Sequence, residues 1–359
     1  MLAVYACLVL ILYSLTGCST PTGMTTSLNP ADGLTPQFAS PDGLSADETA
    51  TLSSLKRVDN YPLYTMTYFG AYPWQDSTAG NAWQFETTSL STTGQTPSPP
   101  SWGCSLFAAL GDNKNNIFGR NFDWEYSPAL LLFTHPADGF ASVSMVDITY
   151  LGFQGKDVDS LVDLPLKERG ALLEAPSLPF DGMNEKALVV GMAAVPQDNM
   201  ILNPQDKSIG SLMIIREILD HASNVDEAVA IFNNYNVDMQ SGPALHYLIA
   251  DASGQSVLIE FYQGKMVVLP NQFPWQVATN FLVASTNGST EGKCWRYDLI
   301  NKRLNETEGQ LSTQDSKELL AAVSQDNTQW SIIYELLSGD VNIVMGRQYE
   351  NVHTFHLNH

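Results

Sequence analysis

Basic residues are scarce in this sequence. Lysine and arginine together number 17 against 38 aspartates and glutamates, so the formal net charge is -21 and the isoelectric point lies near 4.4. A strongly acidic surface repels phosphate backbones, which argues against a nucleic-acid partner and favours solubility outside the cell. Hydrophobic residues make up 44% of the chain and charged residues 15%, which predicts a packed core rather than wholesale disorder.

Cysteine is also rare, with four in 359 residues. Cys7 and Cys18 lie near the start of the chain, and only Cys104 and Cys294 lie in the part expected to fold. Two cysteines are too few for a disulfide scaffold. The folded part therefore either pairs the two cysteines or keeps one of them for chemistry.

Charge is absent from the first 17 residues, which read MLAVYACLVLILYSLTG and are followed by Cys18. A short apolar run with small residues directly before a cysteine is typical of a lipoprotein signal, and it is too short for a retained membrane span. We therefore predict that residues 1–17 are a signal peptide, that Cys18 carries lipid, and that the chain is exported and anchored to the membrane. No basic residue precedes the run, so an ordinary secretory signal or an uncleaved anchor stays open.

Composition divides the remaining chain into three parts. Residues 18–50 are rich in small polar residues, glycine and proline, which predicts a flexible tether. Residues 51–103 form an N-terminal segment or propeptide, with an aromatic block at 61–74 and a polar, proline-rich stretch at 85–102. Residues 104–359 are predicted to form the catalytic domain. A flexible stretch leading into a strand suits a processing site at position 103.

Strand-like and helix-like patterns begin at position 104. Apolar runs on both sides of a turn at 111–116 predict a hairpin of strands 104–110 and 117–122. Asn224 and Glu227 resemble a capping box at the start of a helix. Sequential strands with helices grouped between them predict two antiparallel sheets with helices on the outer faces. Further strands are predicted at 130–134, 141–150, 187–195, 245–251, 255–261, 265–269, 341–345 and 352–357, and helices at 212–219, 224–232, 293–304 and 315–323.

Cys104 is the candidate nucleophile. A cysteine hydrolase needs a base for its thiol. None of the six histidines lies in a recognisable cysteine-protease context, although their positions alone do not exclude a histidine as the base. If the Gly103–Cys104 bond breaks, the new α-amine can accept the thiol proton, because the pKa of such an amine is ordinarily about 7.7–8.0. Gly103 lacks a Cβ, which permits the strained geometry of attack on its own carbonyl. The sequence therefore predicts autocleavage between Gly103 and Cys104.

Two motifs carry a resemblance to a known family. The segments GCSLFAALGDNKNNIFGRNFDWEYS and DGMNEKALVVGMAAVP resemble the choloylglycine hydrolase family, which includes bile salt hydrolases and penicillin V acylases. Acid ceramidases and the acyltransferases of penicillin biosynthesis are relatives of that family. The resemblance extends over roughly residues 104–300. It implies an α+β fold, a four-layer αββα sandwich of the N-terminal-nucleophile type.

The resemblance also implies roles for the residues of the predicted hairpin. Cys104 matches the family's nucleophile. Arg120 matches the arginine beside the thiol, where a fixed cation favours the thiolate. Asp123 matches the carboxylate that holds the α-amine and the sulfur in place.

Three further positions match the family outside the hairpin. Asn280 matches the side-chain donor of the oxyanion hole, and Arg296 matches a second arginine near the nucleophile. The backbone oxyanion donor falls on Ala194, where bile salt hydrolases carry asparagine. That difference, and the long segment before Cys104, put bile-salt specificity in doubt.

Structural alternatives stay open for each of these positions. Cys104 could be a buried core thiol or could pair with Cys294, which otherwise reads as a small packing residue. Arg120 and Asp123 could form a surface ion pair, which would contribute little. Asn280 could be a turn residue, and Arg296 could be a solvated helix residue.

The sequence thus predicts an amide hydrolase that releases an acyl group and an amine through a thioester. An acyltransferase on the same scaffold, or an inactive lipid-anchored binding protein, are the alternatives. No metal ligands or nucleotide loop are visible, so no cofactor is expected. The expected partners are a small N-acyl amide and the membrane, with homo-oligomerisation left open. N-acyl amino acids, N-acyl homoserine lactones, penicillins and bile salts all stay open as substrates.

Overall fold

The computed structural model describes residues 43–72, 103–198, 201–239 and 242–358. The predicted signal peptide, the lipidation site at Cys18, most of the tether and the proline-rich stretch before Gly103 lie outside these ranges. Among the described residues, no helix is both long and apolar enough to cross a membrane.

Strands dominate the described part of the chain. In chain order they are β1 (Lys56–Asp59), β2 (Leu63–Tyr68), β3 (Gly103–Ala109), β4 (Ile117–Asp123), β5 (Ala129–Thr134), β6 (Ser142–Asp147), β7 (Asp181–Asn184), β8 (Val189–Val195), β9 (Lys207–Gly210), β10 (Tyr235–Asp238), β11 (Ala244–Ala250), β12 (Ser256–Tyr262), β13 (Lys265–Pro270), β14 (Trp275–Ala278), β15 (Thr328–Glu335), β16 (Asp340–Met345) and β17 (His353–His356).

Helices lie between groups of strands. The α-helices are α1 (Ala46–Ser53), α2 (Lys156–Asp159), α3 (Met213–His221), α4 (Val225–Phe232), α5 (Trp295–Glu306) and α6 (Thr313–Ala322), and 3₁₀ helices span Ile148–Leu151, Leu161–Asp163, Leu166–Ser177 and Val283–Thr286. The Asn224 side chain caps α4 by accepting from the Glu227 N–H at 3.0 Å. In a full capping box, the Glu227 side chain would also accept from the backbone N–H of the N-cap residue Asn224. Here it accepts from the N–H of Ser223 instead.

Two large sheets form the centre of the fold. The first has the order β1-β2-β5-β6-β7-β8-β11-β12-β13, and the second has the order β14-β3-β4-β15-β16-β17. Every pairing within them is antiparallel except that of β2 with β5. Strands β9 and β10 form a separate parallel pair. The predicted α+β architecture of two antiparallel-dominated sheets is confirmed.

The sheets pack face to face between two layers of helices. Helices α3 and α4 contact the first sheet, and α5 and α6 contact the second. The sheets approach closely at Gly191 of β8, where a Cβ would lie 2.8 Å from Cδ2 of Leu106 in β3. The side of β8 that carries Gly191 therefore faces the second sheet, and this close packing brings β8 next to the strand that carries Cys104.

The N-terminal segment contributes to the first sheet. Strand β2 pairs along its whole length with β5, and the buried side chains of Tyr64 and Met66 pack with Leu130 and Leu132. Further along, the Tyr72 hydroxyl donates to Asp220 of α3 at 3.4 Å. The described part of the aromatic block thus packs into the sheet and its flanking helix.

Several strands differ from the sequence prediction. The strand predicted at 141–150 ends at Asp147, because the Asp147 carboxylate accepts from the N–H of Thr149 and caps a 3₁₀ helix. Strand β15 was not predicted, although it lies between β4 and β16. Its buried polar residues Thr328 and Ser331 interrupt the apolar pattern, and both are hydrogen-bonded to side chains of β4. Strands β1, β2, β7, β9, β10 and β14 were also not predicted.

Candidate active site

The predicted hairpin that carries Cys104 is present. Strands β3 and β4 pair in one continuous register that sets Cys104 opposite Phe122 and Gly103 opposite Asp123. Cys104 is only 1% exposed and is a free thiol, as is Cys294. A disulfide between Cys104 and Cys294 is therefore excluded, and the first strand of the hairpin delivers one buried thiol to the space between the sheets.

The surroundings of the Cys104 thiol act on its pKa in opposite directions. Burial raises the pKa of the thiol, and the Arg120 guanidinium opposes this by favouring the thiolate. The Asp123 carboxylate raises the pKa of Cys104, whereas the Asp123 backbone N–H lowers it by donating to sulfur. The net direction is upward, so the unbroken chain holds Cys104 as a neutral thiol near neutral pH.

Arg120 is fully buried and pairs with a carboxylate outside the predicted hairpin. Its guanidinium forms an ion pair with Asp181 at the start of β7, and it donates to the Phe180 carbonyl at 2.7 Å. The guanidinium carbon lies 5.1 Å from the centre of the Phe122 ring. The alternative of a surface ion pair between Arg120 and Asp123 is therefore wrong. The motif DGMNEK contains Asp181, but sequence spacing does not tell which arginine it meets.

Asp123 is held by residues that approach from β15 and the loop before it. Its carboxylate accepts from the Thr328 hydroxyl at 2.5 Å and from Gln325 Nε2 at 2.8 Å. Arg296 Nη1 lies 3.7 Å from the same carboxylate. Burial raises the pKa of Asp123, while the hydrogen bonds from Thr328 and Gln325 and the charges of Arg296 and Arg120 lower it.

Gly103 has no room for a side chain. A Cβ at this position would lie 1.9 Å from Gln325 Nε2 and 3.3 Å from Asp123 Oδ2. Because Gln325 is bonded to Asp123, a side chain at residue 103 would displace the group that holds the carboxylate. The close approach of Gln325 is thus a reason for glycine here that is independent of backbone strain.

Asn280 connects the nucleophile to β8. Its Oδ1 accepts from the backbone N–H of Cys104 at 2.7 Å and from Arg296 Nη2 at 2.8 Å. Its Nδ2 donates to the Ala194 carbonyl at 2.7 Å. A side-chain amide carries two N–H groups, so one can donate to Ala194 and the other to a second acceptor. The structure brings Asn280, Cys104 and Ala194 together from distant parts of the chain.

The backbone N–H of Ala194 points to the side of β8 on which Asn280 lies. The N–H and C=O of one strand residue point to the same side, and alternate residues repeat that direction. Met192 donates its N–H to the Phe180 carbonyl at 3.4 Å, on the β7 side of β8. Ala194 lies two residues further along, so its N–H points to the side where its carbonyl binds Asn280.

Arg296 lies at the start of α5 and is 6% exposed. Its Nη1 donates to the Cys104 carbonyl and to the Ser105 hydroxyl, the latter at 3.0 Å. With its bond to Asn280, the guanidinium is hydrogen-bonded to three residues: Cys104, Ser105 and Asn280. The alternative of a solvated helix residue is wrong.

Histidines occupy other parts of the described chain. His246 is hydrogen-bonded to Glu260, His353 to Asp59 and His356 to Asp340, and no hydrogen bond joins a histidine to Cys104 within the described ranges. The site therefore consists of a buried thiol, two arginines, two carboxylates and one amide. This arrangement can activate a thiol and stabilise a developing oxyanion, provided that a proton acceptor is supplied.

Comparisons with known proteins bear on the family and on the fold. The sequence profile described as linear amide C–N hydrolases, choloylglycine hydrolase family, matches residues 104–282. The fold is similar to crystal structures of two single-residue variants of the conjugated bile acid hydrolase from Clostridium perfringens. The first has 17% identity and a TM-score of 0.51 over 71% of this chain and 92% of that one. The second has 16% identity and a TM-score of 0.50 over 70% of this chain and 92% of that one. The penicillin V acylase from Agrobacterium tumefaciens also matches, at 14% identity and a TM-score of 0.48, over 71% of this chain and 86% of that one.

Proposed function

The chain belongs to the choloylglycine hydrolase family of linear amide C–N hydrolases, and we propose that it cleaves a small N-acyl amide with Cys104 as an N-terminal nucleophile. In this proposal the Gly103–Cys104 bond is first broken by the protein itself. The mature enzyme then uses the Cys104 thiol as nucleophile and the Cys104 α-amine as base. The products are a free carboxylic acid and an amine.

The observation that carries the proposal is the setting of the Cys104 nitrogen. In the unbroken chain this nitrogen donates to Asn280 Oδ1, which also binds Arg296. After cleavage the same nitrogen would be a primary amine on the same residue as the thiol, with an amide oxygen ready to orient it. A buried thiol with a raised pKa needs such a base, and within the described ranges no histidine is bonded to it.

The proposed autocleavage is an attack of the Cys104 thiol on its own preceding peptide bond. The Cys104 sulfur attacks the Gly103 carbonyl carbon, the carbon–nitrogen bond breaks, and the thiol proton goes to the departing nitrogen. This leaves a thioester on Cys104, which water hydrolyses to a Gly103 carboxylate and a free thiol. Protonation of the departing amine helps the acyl shift, so acidic conditions should favour it.

Substrate hydrolysis repeats the same chemistry on an external amide. The thiol proton moves to the α-amine as sulfur attacks the substrate carbonyl. Asn280 Nδ2 and the Ala194 N–H donate to the tetrahedral oxyanion. The α-ammonium returns its proton to the leaving amine, and the acyl group stays on Cys104 as a thioester. Water, deprotonated by the α-amine, then releases the acid.

Product analysis on a panel of N-acyl amides tests the proposed reaction. The panel contains N-acyl amino acids, N-acyl homoserine lactones, penicillins and bile salts, each incubated with purified protein alone and with an excess of a second amine. We expect equal amounts of free acid and free amine from at least one compound, with little new amide when the second amine is present. A new amide as the main product would instead identify an acyltransferase. Saturable binding without turnover would identify an inactive binding protein.

We also propose that the protein is exported and held at the membrane by lipid on Cys18. The support is the uncharged apolar run that ends in LTGC, which lies outside the described residues. In cells fed labelled palmitate, the wild-type protein should take up label, and Cys18→Ser should not. Cys7→Ser is the matched control, because Cys7 lies inside the predicted signal peptide and its replacement should leave labelling intact. A mature N-terminus elsewhere, with no lipid, would contradict the anchor.

A further inference from the structure

A buried carboxylate and histidine lie between the two sheets and have no part in the chemistry described above. His246 is on β11 and Glu260 on β12, and both side chains are 0% exposed. His246 Nδ1 lies 3.0 Å from Glu260 Oε1. Nε2 of His246 has no hydrogen-bond partner within the described ranges, so the imidazole is committed to Glu260.

The pair faces the sheet that carries the nucleophile. His246 lies opposite Ala193 in the register of β11 with β8. Ala193 is two residues from Gly191, whose Cβ position faces Leu106 of β3. Since side chains two apart on a strand share a face, His246 points towards β3. Glu260, bonded to it, lies in the same layer.

Glu260 also holds the segment that directly follows Asn280. Its Oε1 accepts from the Val283 N–H at 2.9 Å and its Oε2 accepts from the Ala284 N–H at 2.7 Å. These are the first two residues of the 3₁₀ helix Val283–Thr286, whose N-cap residue Leu282 offers no side-chain acceptor. The first free N–H groups of a helix need acceptors, and a carboxylate from another strand supplies them here.

We propose that Glu260, oriented by His246, is a positioning residue that fixes the Asn280 amide in the oxyanion site. Only Phe281 and Leu282 separate Asn280 from the first anchored residue. Asn280 must donate to a substrate oxygen with a tolerance of a few tenths of an ångström, and a shift of about 1 Å in such a group costs on the order of 10²-fold in rate. The inference rests on the proposed role of Asn280, and the experiments below separate the two.

The first experiment measures the anchoring without any substrate. In Glu260→Gln the side-chain NH₂ replaces one of the two oxygens that accept from the Val283 and Ala284 N–H groups, so one bond to the segment is lost. Hydrogen exchange of the peptide that contains residues 279–286 should then become at least about tenfold faster, because local opening is no longer opposed. Asp251→Asn is the matched control. Asp251 is another buried carboxylate that accepts backbone N–H groups, those of Val225 and Ser253, but it is not bonded to the Asn280 segment. Unchanged exchange at 279–286 in Glu260→Gln overturns the proposal, whether or not the protein is an amidase.

The second experiment measures whether the anchoring acts through Asn280. On an N-acyl amide that the wild type hydrolyses, Glu260→Gln should lower kcat by about 10- to 100-fold and change KM by less than about threefold. In the Asn280→Ala background the same substitution should change kcat by less than about twofold, because the group it positions is gone. Asp251→Asn should leave kcat unchanged. An equal loss from Glu260→Gln in both backgrounds, or a normal kcat in folded Glu260→Gln, overturns the proposal while leaving the amidase itself established.

A milder variant covers the case in which Glu260→Gln does not fold. Val283→Pro removes one of the two N–H donors and leaves the carboxylate in place. Proline is tolerated at the first position of a helix, and the extended backbone of Leu282, with φ -81° and ψ 114°, is compatible with a following proline. This variant should lower kcat by about three- to tenfold, with faster exchange at 279–286. Wild-type kcat and exchange in Val283→Pro would overturn the proposal.

Discussion

Replacing Cys104 with alanine should stop both the cleavage of the Gly103–Cys104 bond and all amide hydrolysis. The thiol is the only group in this proposal that attacks either carbonyl. Intact mass and N-terminal sequencing of the purified protein should find a fragment from Cys104 to His359 in the wild type and one unbroken chain across position 104 in Cys104→Ala. Cleavage should need no added protease.

Two further variants separate nucleophilicity from packing. Cys104→Ser should cleave slowly, because a hydroxyl can make the same attack but is a poorer nucleophile near neutral pH. Cys294→Ala is the matched control, since Cys294 is a free cysteine at the N-cap of α5 and makes no side-chain cap bond, and both cleavage and activity should persist. A fully active enzyme with an unbroken chain through Cys104 would rule out the α-amine as base, and a histidine would then have to be reconsidered.

The cleaved fragments should stay together. Strand β2 pairs with β5 over six residues, and buried side chains of the N-terminal segment share a core with the first sheet. Separating them would expose that core to water. The N-terminal fragment should therefore co-elute with the C-terminal fragment on size exclusion and separate only in denaturant. Size exclusion is run on the same purified wild-type protein as the mass measurement and the N-terminal sequencing.

Replacing Asn280 with alanine should lower kcat by about 10²–10³-fold while the protein stays folded. The substitution removes the side-chain donor aimed at the oxyanion, and the Ala194 N–H alone remains. It also removes the bonds to Cys104, Arg296 and the Ala194 carbonyl. Steady-state kinetics on a hydrolysed N-acyl amide measures the loss, and a thermal melt measures the folded fraction.

The control for this variant is Asn305→Ala. Asn305 is exposed on the outer side of α5, close in sequence to Arg296, and its replacement should leave kcat unchanged. A folded Asn280→Ala protein with near-normal kcat would remove Asn280 from the oxyanion site. The same result would also remove the basis for a positioning role of Glu260.

Local sequence patterns were sufficient to predict many of the strands and helices. The hairpin that starts at Cys104 is present, because two apolar runs around a glycine- and asparagine-containing turn form a hairpin through short-range contacts alone. Helix α4 was indicated by its capping residues, which are also local, and α3, α5 and α6 lie within a few residues of the predicted helices. The polar residues of β15 concealed that strand, because their partners on β4 lie about 200 positions earlier in the chain.

The sequence by itself determined which residue types are available: one cysteine at the head of a strand, arginines and a carboxylate nearby, and a motif set that resembles one family. Only the tertiary structure decided which of them meet. The order of strands in the two sheets pairs Arg120 with Asp181 rather than Asp123, and it brings Asn280 to both Cys104 and Ala194. It also sets Glu260 beside the Asn280 segment. These contacts join residues far apart in the chain, and local propensity carries no information about which distant strands become neighbours.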